Sequence, residues 1–195
     1  MLIKELKDYN IVLGSASPRR KELLAELELE FIIKSTDKEE DYSKDLGINE
    51  IAKFLAKQKA DIIARNLEKD YLLITADTIV AQNGEVIHKP KNKQDAIEIL
   101  RKLSGNSHKV ITGVCITSSE KKIVFSSITD VFFTNLSDEE INFYIERYKP
   151  FDKAGAYGIQ EWIGFIGIEK IIGSYNNVVG LPTTELYNHL VQFAG

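Results

Sequence analysis

The chain predicts an α/β fold built on a mixed sheet, and three observations carry that expectation. Short apolar segments alternate with longer amphipathic ones along the whole length. Two hairpin signals lie among the strands, which an all-parallel sheet would lack. The apolar share is 44% of 195 residues, enough core for one domain, and no repeat, linker or low-complexity stretch divides it. Residues 1–195 therefore read as a single domain.

The first strand is Ile11–Gly14, a short apolar run closed by glycine. A helix is predicted over Pro18–Leu29, because Ser17 suits the N-cap and Pro18 the first helical position. Arg19 and Arg20 stand in its first turn, where exposed N–H groups and the helix dipole favour acidic side chains. Two guanidiniums there fit either a solvated surface or an anion gripped at the helix mouth. Neither the P-loop spacing nor the Gly-x-Gly-x-x-Gly fingerprint is present.

A second strand follows at Phe31–Ser35, then a long helix over Ile48–Leu67 with Ile51, Leu55 and Ile62 as its buried stripe. Lys53 and Lys57 point away from that stripe. Lys59 projects from its edge, so its ammonium either snorkels to water or meets an anion. Tyr71–Ala76 is an apolar strand expected to stop at Asp77. Ligand-binding groups gather at such strand ends in open α/β sheets, and aspartate also caps turns there. Asn83-Gly84, between Ile79-Val80-Ala81 and Val86-Ile87, signals a two-residue hairpin, and Lys89 comes after it beside Pro90.

A helix at Lys93–Leu103 leads to strands at Lys109–Ser118 and Lys122–Phe133, joined by a turn at Ser118–Lys121. Ser137, with Glu140 three residues on, opens the helix Asp138–Tyr148 with a capping box. Asp152–Gln160 crowds small residues around Tyr157, which suits either close approach of a ligand or a tight bend. A Gly-bounded polar turn, Gly173–Pro182, precedes the last helix, Thr183–Phe193.

A net charge of −4 argues against broad binding to nucleic-acid polymers, so any anion site is local. Cys115 is the single cysteine, which excludes an intrachain disulfide and a cysteine-built zinc site; it reads as a small buried hydrophobe. His88, His108 and His189 show no metal-ligand spacing. The N-terminus lacks a signal-peptide core, and no run approaches the roughly 18 apolar residues of a membrane helix. A soluble cytoplasmic protein without a membrane partner is expected.

Taken in order, these segments resemble the Maf family of nucleoside triphosphate pyrophosphatases, also called septum formation inhibitors. The motifs are Ser-Ala-Ser-Pro-Arg-Arg at 15–20, Lys-Ala at 59–60, Ala-Asp-Thr at 76–78, Lys-Pro at 89–90, Asp-Lys-Ala-Gly-Ala-Tyr-Gly-Ile-Gln at 152–160 and Val-Gly-Leu-Pro at 179–182. Each is weak alone, but all of them in this order make a specific match.

The resemblance implies hydrolysis of a nucleoside triphosphate between its α and β phosphates, giving a monophosphate and pyrophosphate. It implies a divalent cation, Mg²⁺ with Mn²⁺ or Co²⁺ as substitutes, and a homodimer. The implied fold is similar to inosine triphosphate pyrophosphatases: an elongated mixed sheet flanked by helices, with the active-site cleft between two lobes. By position, Asp77 would be the catalytic base, and Ser15, Arg20, Lys59 and Lys89 would hold phosphates. The metal-linked acid falls in Asp37–Asp41, where Glu40 fits best and Glu39 stays open; Asp77 would share the metal.

Arg19, Thr78 and Gln160 resemble the branch that acts on dTTP and UTP, with modified pyrimidine nucleotides as a further class. The sister branch, acting on methylated GTP, carries Trp, Gln and Glu there. Purine or methylated-guanine nucleotides, and a regulatory binding role in septum formation, are the competing readings. One departure bears on base choice: Glu161-Trp162-Ile163-Gly164 follows Gln160 where relatives often continue with Gly and a basic or small residue.

Overall fold

The computed structural model describes residues 6–36, 41–43 and 45–194. Seven strands and seven α-helices are present among them: β1 (Asn10–Leu13), α1 (Pro18–Ala25), β2 (Ile32–Ile33), α2 (Ile48–Ile63), β3 (Tyr71–Gln82), β4 (Glu85–Ile87), α3 (Lys93–Leu103), β5 (Ser107–Thr117), β6 (Lys122–Phe133), α4 (Asp138–Tyr148), α5 (Trp162–Gly167), β7 (Ile168–Ile172), α6 (Tyr175–Val179) and α7 (Thr183–Ala194). Short 3₁₀ turns occupy Ala64–Asn66 and Ala154–Ala156. The strands form one sheet in the order β2-β1-β3-β5-β6-β7, with β4 on β3. It is mixed: β1 runs parallel to β2 and β3, whereas β4 and β7 pair antiparallel with β3 and β6.

Local chemistry sets most boundaries. Ser17 caps α1 by accepting the Arg20 N–H at 3.5 Å, and Pro18 takes the first helical position. The helix stops at Ala25, short of the expected Leu29, and Glu28 turns left-handed at φ 57°. The buried face of α2 runs through Ile51, Leu55, Ala56, Ala60 and Ile63, so Ile63 takes the place expected of Ile62. α4 begins with the expected capping box: Ser137 Oγ accepts the Glu140 N–H at 3.2 Å, and Glu140 Oε2 accepts the Ser137 N–H at 2.7 Å.

The expected end of a strand at Asp77 is corrected. β3 runs unbroken to Gln82, because Ile79, Val80 and Ala81 are buried, as are the residues just before Asp77. The hairpin then turns on Asn83 at φ 52° and Gly84 at φ 83°, the paired positive angles of a two-residue loop matched to strand twist.

Two compact units share the chain. The first comprises Met1–Asp77, Thr112–Ser127 and Gly180–Gly195; the second comprises Thr78–Ile111 and Ile128–Val179. In the first unit, β3 is buried on both faces, and its side chains alternate between two cores. Leu72 and Ile74 pack with Leu186 and Phe193 of α7, and Leu73 packs with Ala56, Ala60 and Ile63 of α2. The second unit has its own core of Val80, Leu100, Val110, Phe133, Tyr144 and Ile163. No helix among the described residues is long and apolar enough to cross a membrane.

Candidate active site

At the mouth of α1, the chain leaves β1 beside β3. The Gly14 N–H donates to the Ile74 carbonyl at 2.7 Å, so the β1–β3 pairing continues one residue past Leu13, up to the residue before Ser15. Ser15 is buried, and its hydroxyl accepts from the Ser17 N–H and from Arg20 Nη1, both at 3.3 Å. Arg20 Nε donates to the Gly180 carbonyl at 2.8 Å. Gly180 has φ 129°, a conformation that side chains resist, so glycine is what aims this carbonyl at the guanidinium.

Asp77 is 3% exposed, and its carboxylate is paired. The Lys59 ammonium reaches from α2 to Asp77 Oδ1. Of the two sequence options for Lys59, it meets an anion. Three contacts hold α2 where this is possible. The Thr75 hydroxyl donates to the Ala56 carbonyl at 2.7 Å, one helical turn before Lys59. A Cβ on Gly113 of β5 would lie 2.2 Å from the Ala52 carbonyl atoms, so α2 rests on bare strand backbone. A Cβ on Gly14 would strike Thr75 Cγ2 at 2.5 Å and meet Ile63 Cδ1 of α2 at 3.0 Å, so α2 also lies close over β1. Removing either member of a buried ion pair typically costs about 3–5 kcal/mol, because the other charge is stranded.

The first unit thus holds two contacting pairs: Ser15, just past β1, with Arg20 of α1, and Lys59 of α2 with Asp77 of β3. Arg19 lies half-buried in the first turn of α1. Thr78, Lys89 and Gln160 belong to the second unit. There Thr78 continues β3, Lys89 is exposed after β4, and Gln160 is half-buried. Gln160 Oε1 is fully buried with no hydrogen-bond partner among the described residues. Glu40 and Glu39 lie outside the described residues. Sequence reasoning missed Thr75 and Gly113 and quoted Gly180 only within a motif; a glycine inside an apolar strand was the available signal for Gly113.

Asp77 supplies the hard oxygen donors that Mg²⁺ prefers. No group of three His, Cys, Asp or Glu side chains is gathered among the described residues. This donor set fits a cation that draws most of its ligands from substrate phosphates and water, as Mg²⁺ commonly does. The other reactive side chains are structural. Burial pushes the Cys115 thiol up to about 11, and burial pushes His108 down to about 4 while its Nε2 meets the Tyr157 hydroxyl at 2.7 Å.

The family model described as Maf-like protein matches residues 10–193. A Bacteroides fragilis (strain YCH46) protein named dTTP/UTP pyrophosphatase is 50% identical over 192 residues, covering 98% of this chain and 100% of its own. A Porphyromonas gingivalis (strain ATCC 33277) protein of the same name is 48% identical over 195 residues, covering 98% of each chain. Among solved structures, the Staphylococcus aureus Ham1 protein superposes with a TM-score of 0.52 at 18% identity, covering 95% of this chain and 100% of its own, a likeness of fold alone. Matched by that family model over residues 10–193 and by these relatives over nearly its whole length, the chain belongs to the Maf-like protein family.

Proposed function

We propose that the protein hydrolyses dTTP and UTP to the nucleoside monophosphate and pyrophosphate. The observation that carries this reading is the buried Lys59–Asp77 pair beside the Ser15–Arg20 pair. A carboxylate shielded from water among fixed cations suits a reaction in which a water attacks a polyanion. The relatives' names support the same substrates.

In this reading Arg20, Lys59, Lys89 and the Ser15 hydroxyl hold the phosphates. Asp77 orients the attacking water and accepts its proton as the oxygen bonds to the α phosphorus. The bond from that phosphorus to the bridging oxygen breaks, and pyrophosphate leaves with charge stabilised by the same cations. Positioned donors of this kind each contribute about 3 kcal/mol to such steps. Asp77 and Glu40 would hold a divalent cation, which when bound offsets phosphate charge and polarises the reacting phosphoryl group.

Gln160 is the proposed base reader. Its buried Oε1 lacks a partner, and the imide N–H of uracil and thymine is a donor that such an acceptor would satisfy. The test is pyrophosphate release from dTTP, UTP, CTP, GTP and 7-methyl-GTP with Mg²⁺, Mn²⁺ or Co²⁺. Turnover fastest on dTTP and UTP is expected. Preference for 7-methyl-GTP, or no release from any pyrimidine nucleotide, would overturn the reading.

A further inference from the structure

The residue after Gln160 has a defined place in the structure. The Tyr144 hydroxyl of α4 donates to Glu161 Oε2. The Lys153 ammonium, on a side chain only 9% exposed, lies 3.3 Å from Glu161 Oε1 and 2.7 Å from Asp152 Oδ1. Tyr144 oxygen in turn accepts the Gly158 N–H at 3.0 Å. The carboxylate therefore ties both ends of the 153–161 segment to one helix.

The backbone of that segment is built around the same carboxylate. A Cβ on Gly158 would fall 2.9 Å from the Glu161 carboxyl carbon, so glycine leaves the space that Glu161 fills. Gly155 and Ala156 take positive φ of 72° and 58°, and the Glu161 N–H closes on the Gly158 carbonyl at 3.0 Å. Beyond it, the Trp162 ring packs edge-on against Phe143 of α4, with centroids 4.8 Å apart. Burial and the Glu161 carboxylate both hold the Tyr144 hydroxyl in its protonated, donating form.

We propose that Glu161 is a positioning residue for Gln160, closing the 153–161 loop through Tyr144 and Lys153 so that the neighbouring amide is presented in one orientation. Glu161 touches no substrate in this scheme. The inference rests on the proposal that Gln160 reads the base, and goes beyond it by naming what fixes the reader.

The experiment compares UTP and GTP as substrates for the wild type, Glu161→Ala, Glu161→Gln and Tyr144→Phe, with thermal unfolding of each. Glu161→Ala should lower the UTP-over-GTP ratio of kcat/KM about tenfold, the loss expected when a charge-assisted hydrogen bond goes, and mainly through a higher KM for UTP. Tyr144→Phe should follow it. Glu161→Gln keeps an acceptor for Tyr144 and should lose less. A general structural role would slow both substrates alike, so an unchanged ratio in the alanine and phenylalanine variants overturns the proposal. Should the alanine variant fail to fold, the single-hydroxyl Tyr144→Phe change decides. A wild type that prefers GTP overturns the Gln160 reading and this proposal with it; a wild type that prefers UTP, with variants that keep the preference, overturns only this one.

Discussion

The Thr75 hydroxyl donates to the Ala56 carbonyl at 2.7 Å, and this bond sets the position of α2 along β3. Asp77 lies two residues beyond Thr75 on the strand, and Lys59 three beyond Ala56 on the helix. The Thr75–Ala56 bond and the Lys59–Asp77 ion pair are thus successive ties along one seam. Thr75→Val keeps the shape and removes the donor. It should cost about 1 kcal/mol of stability and lower the unfolding temperature by about 2–4 °C. Under the proposed function, turnover should fall by more than that loss explains, because the Lys59–Asp77 pair loses its fixed spacing. Kinetics alongside thermal unfolding would check this.

Asp77→Asn should reduce turnover by about 10²–10⁴-fold, the range for loss of a positioned proton acceptor. Nucleotide binding should survive, since the cations at Arg20, Lys59 and Lys89 remain. Pyrophosphate release and calorimetric titration with UTP separate the two effects. Near-normal activity would remove Asp77 from the role of base.

Arg20→Ala deletes a guanidinium that spans the Ser15 hydroxyl and the Gly180 carbonyl. Its expected signature is a rise in KM of about tenfold, as for a lost charge-assisted contact. Steady-state kinetics on UTP checks this, and an unchanged KM would exclude Arg20 from phosphate binding.

His108 gives a pH prediction. Burial lowers its folded value to about 4 from 6.5. Below pH 6.5 the unfolded chain therefore takes up a proton that the folded chain refuses. Stability is fully present above about pH 6.5 and is lost as pH falls toward 4, by about 3 kcal/mol in total. Thermal unfolding at pH 7 and pH 4.5 should differ less in a His108→Gln protein than in the wild type.

Gly113→Ala places a methyl group within 2.3 Å of the Ala52–Lys53 backbone. Either the strand or α2 must move. A loss of about 1–3 kcal/mol is expected from overpacking, with activity falling as Lys59 is displaced. Equilibrium unfolding in urea measures the first and pyrophosphate release the second.

Much of this was legible in the sequence. Ser17-Pro18, Asn83-Gly84 and the Ser137–Glu140 box carry their own local chemistry, so two helices start and one hairpin turns where expected. Lys59 could be singled out because a lysine on an apolar edge conflicts with its surroundings, and the conflict is resolved by Asp77. The length of β3 was not legible, because a charged residue inside a strand resembles a strand end until its long-range partner is known. The stretch holding α5, β7 and α6 was also hidden: elements of five or six residues are too short for periodicity to register. Thr75 and Gly113 act through contacts with α2 that no local pattern encodes.

The sealed thiol of Cys115 has a practical consequence. It is wholly shielded from solvent, and with no second cysteine in the sequence the folded protein behaves toward thiol reagents as though it had none. A cysteine introduced at one surface position, such as Gln94 on α3, would then be the sole reactive handle. A fluorophore or spin label attached there could follow nucleotide binding in solution without first stripping the native sulfur from the core.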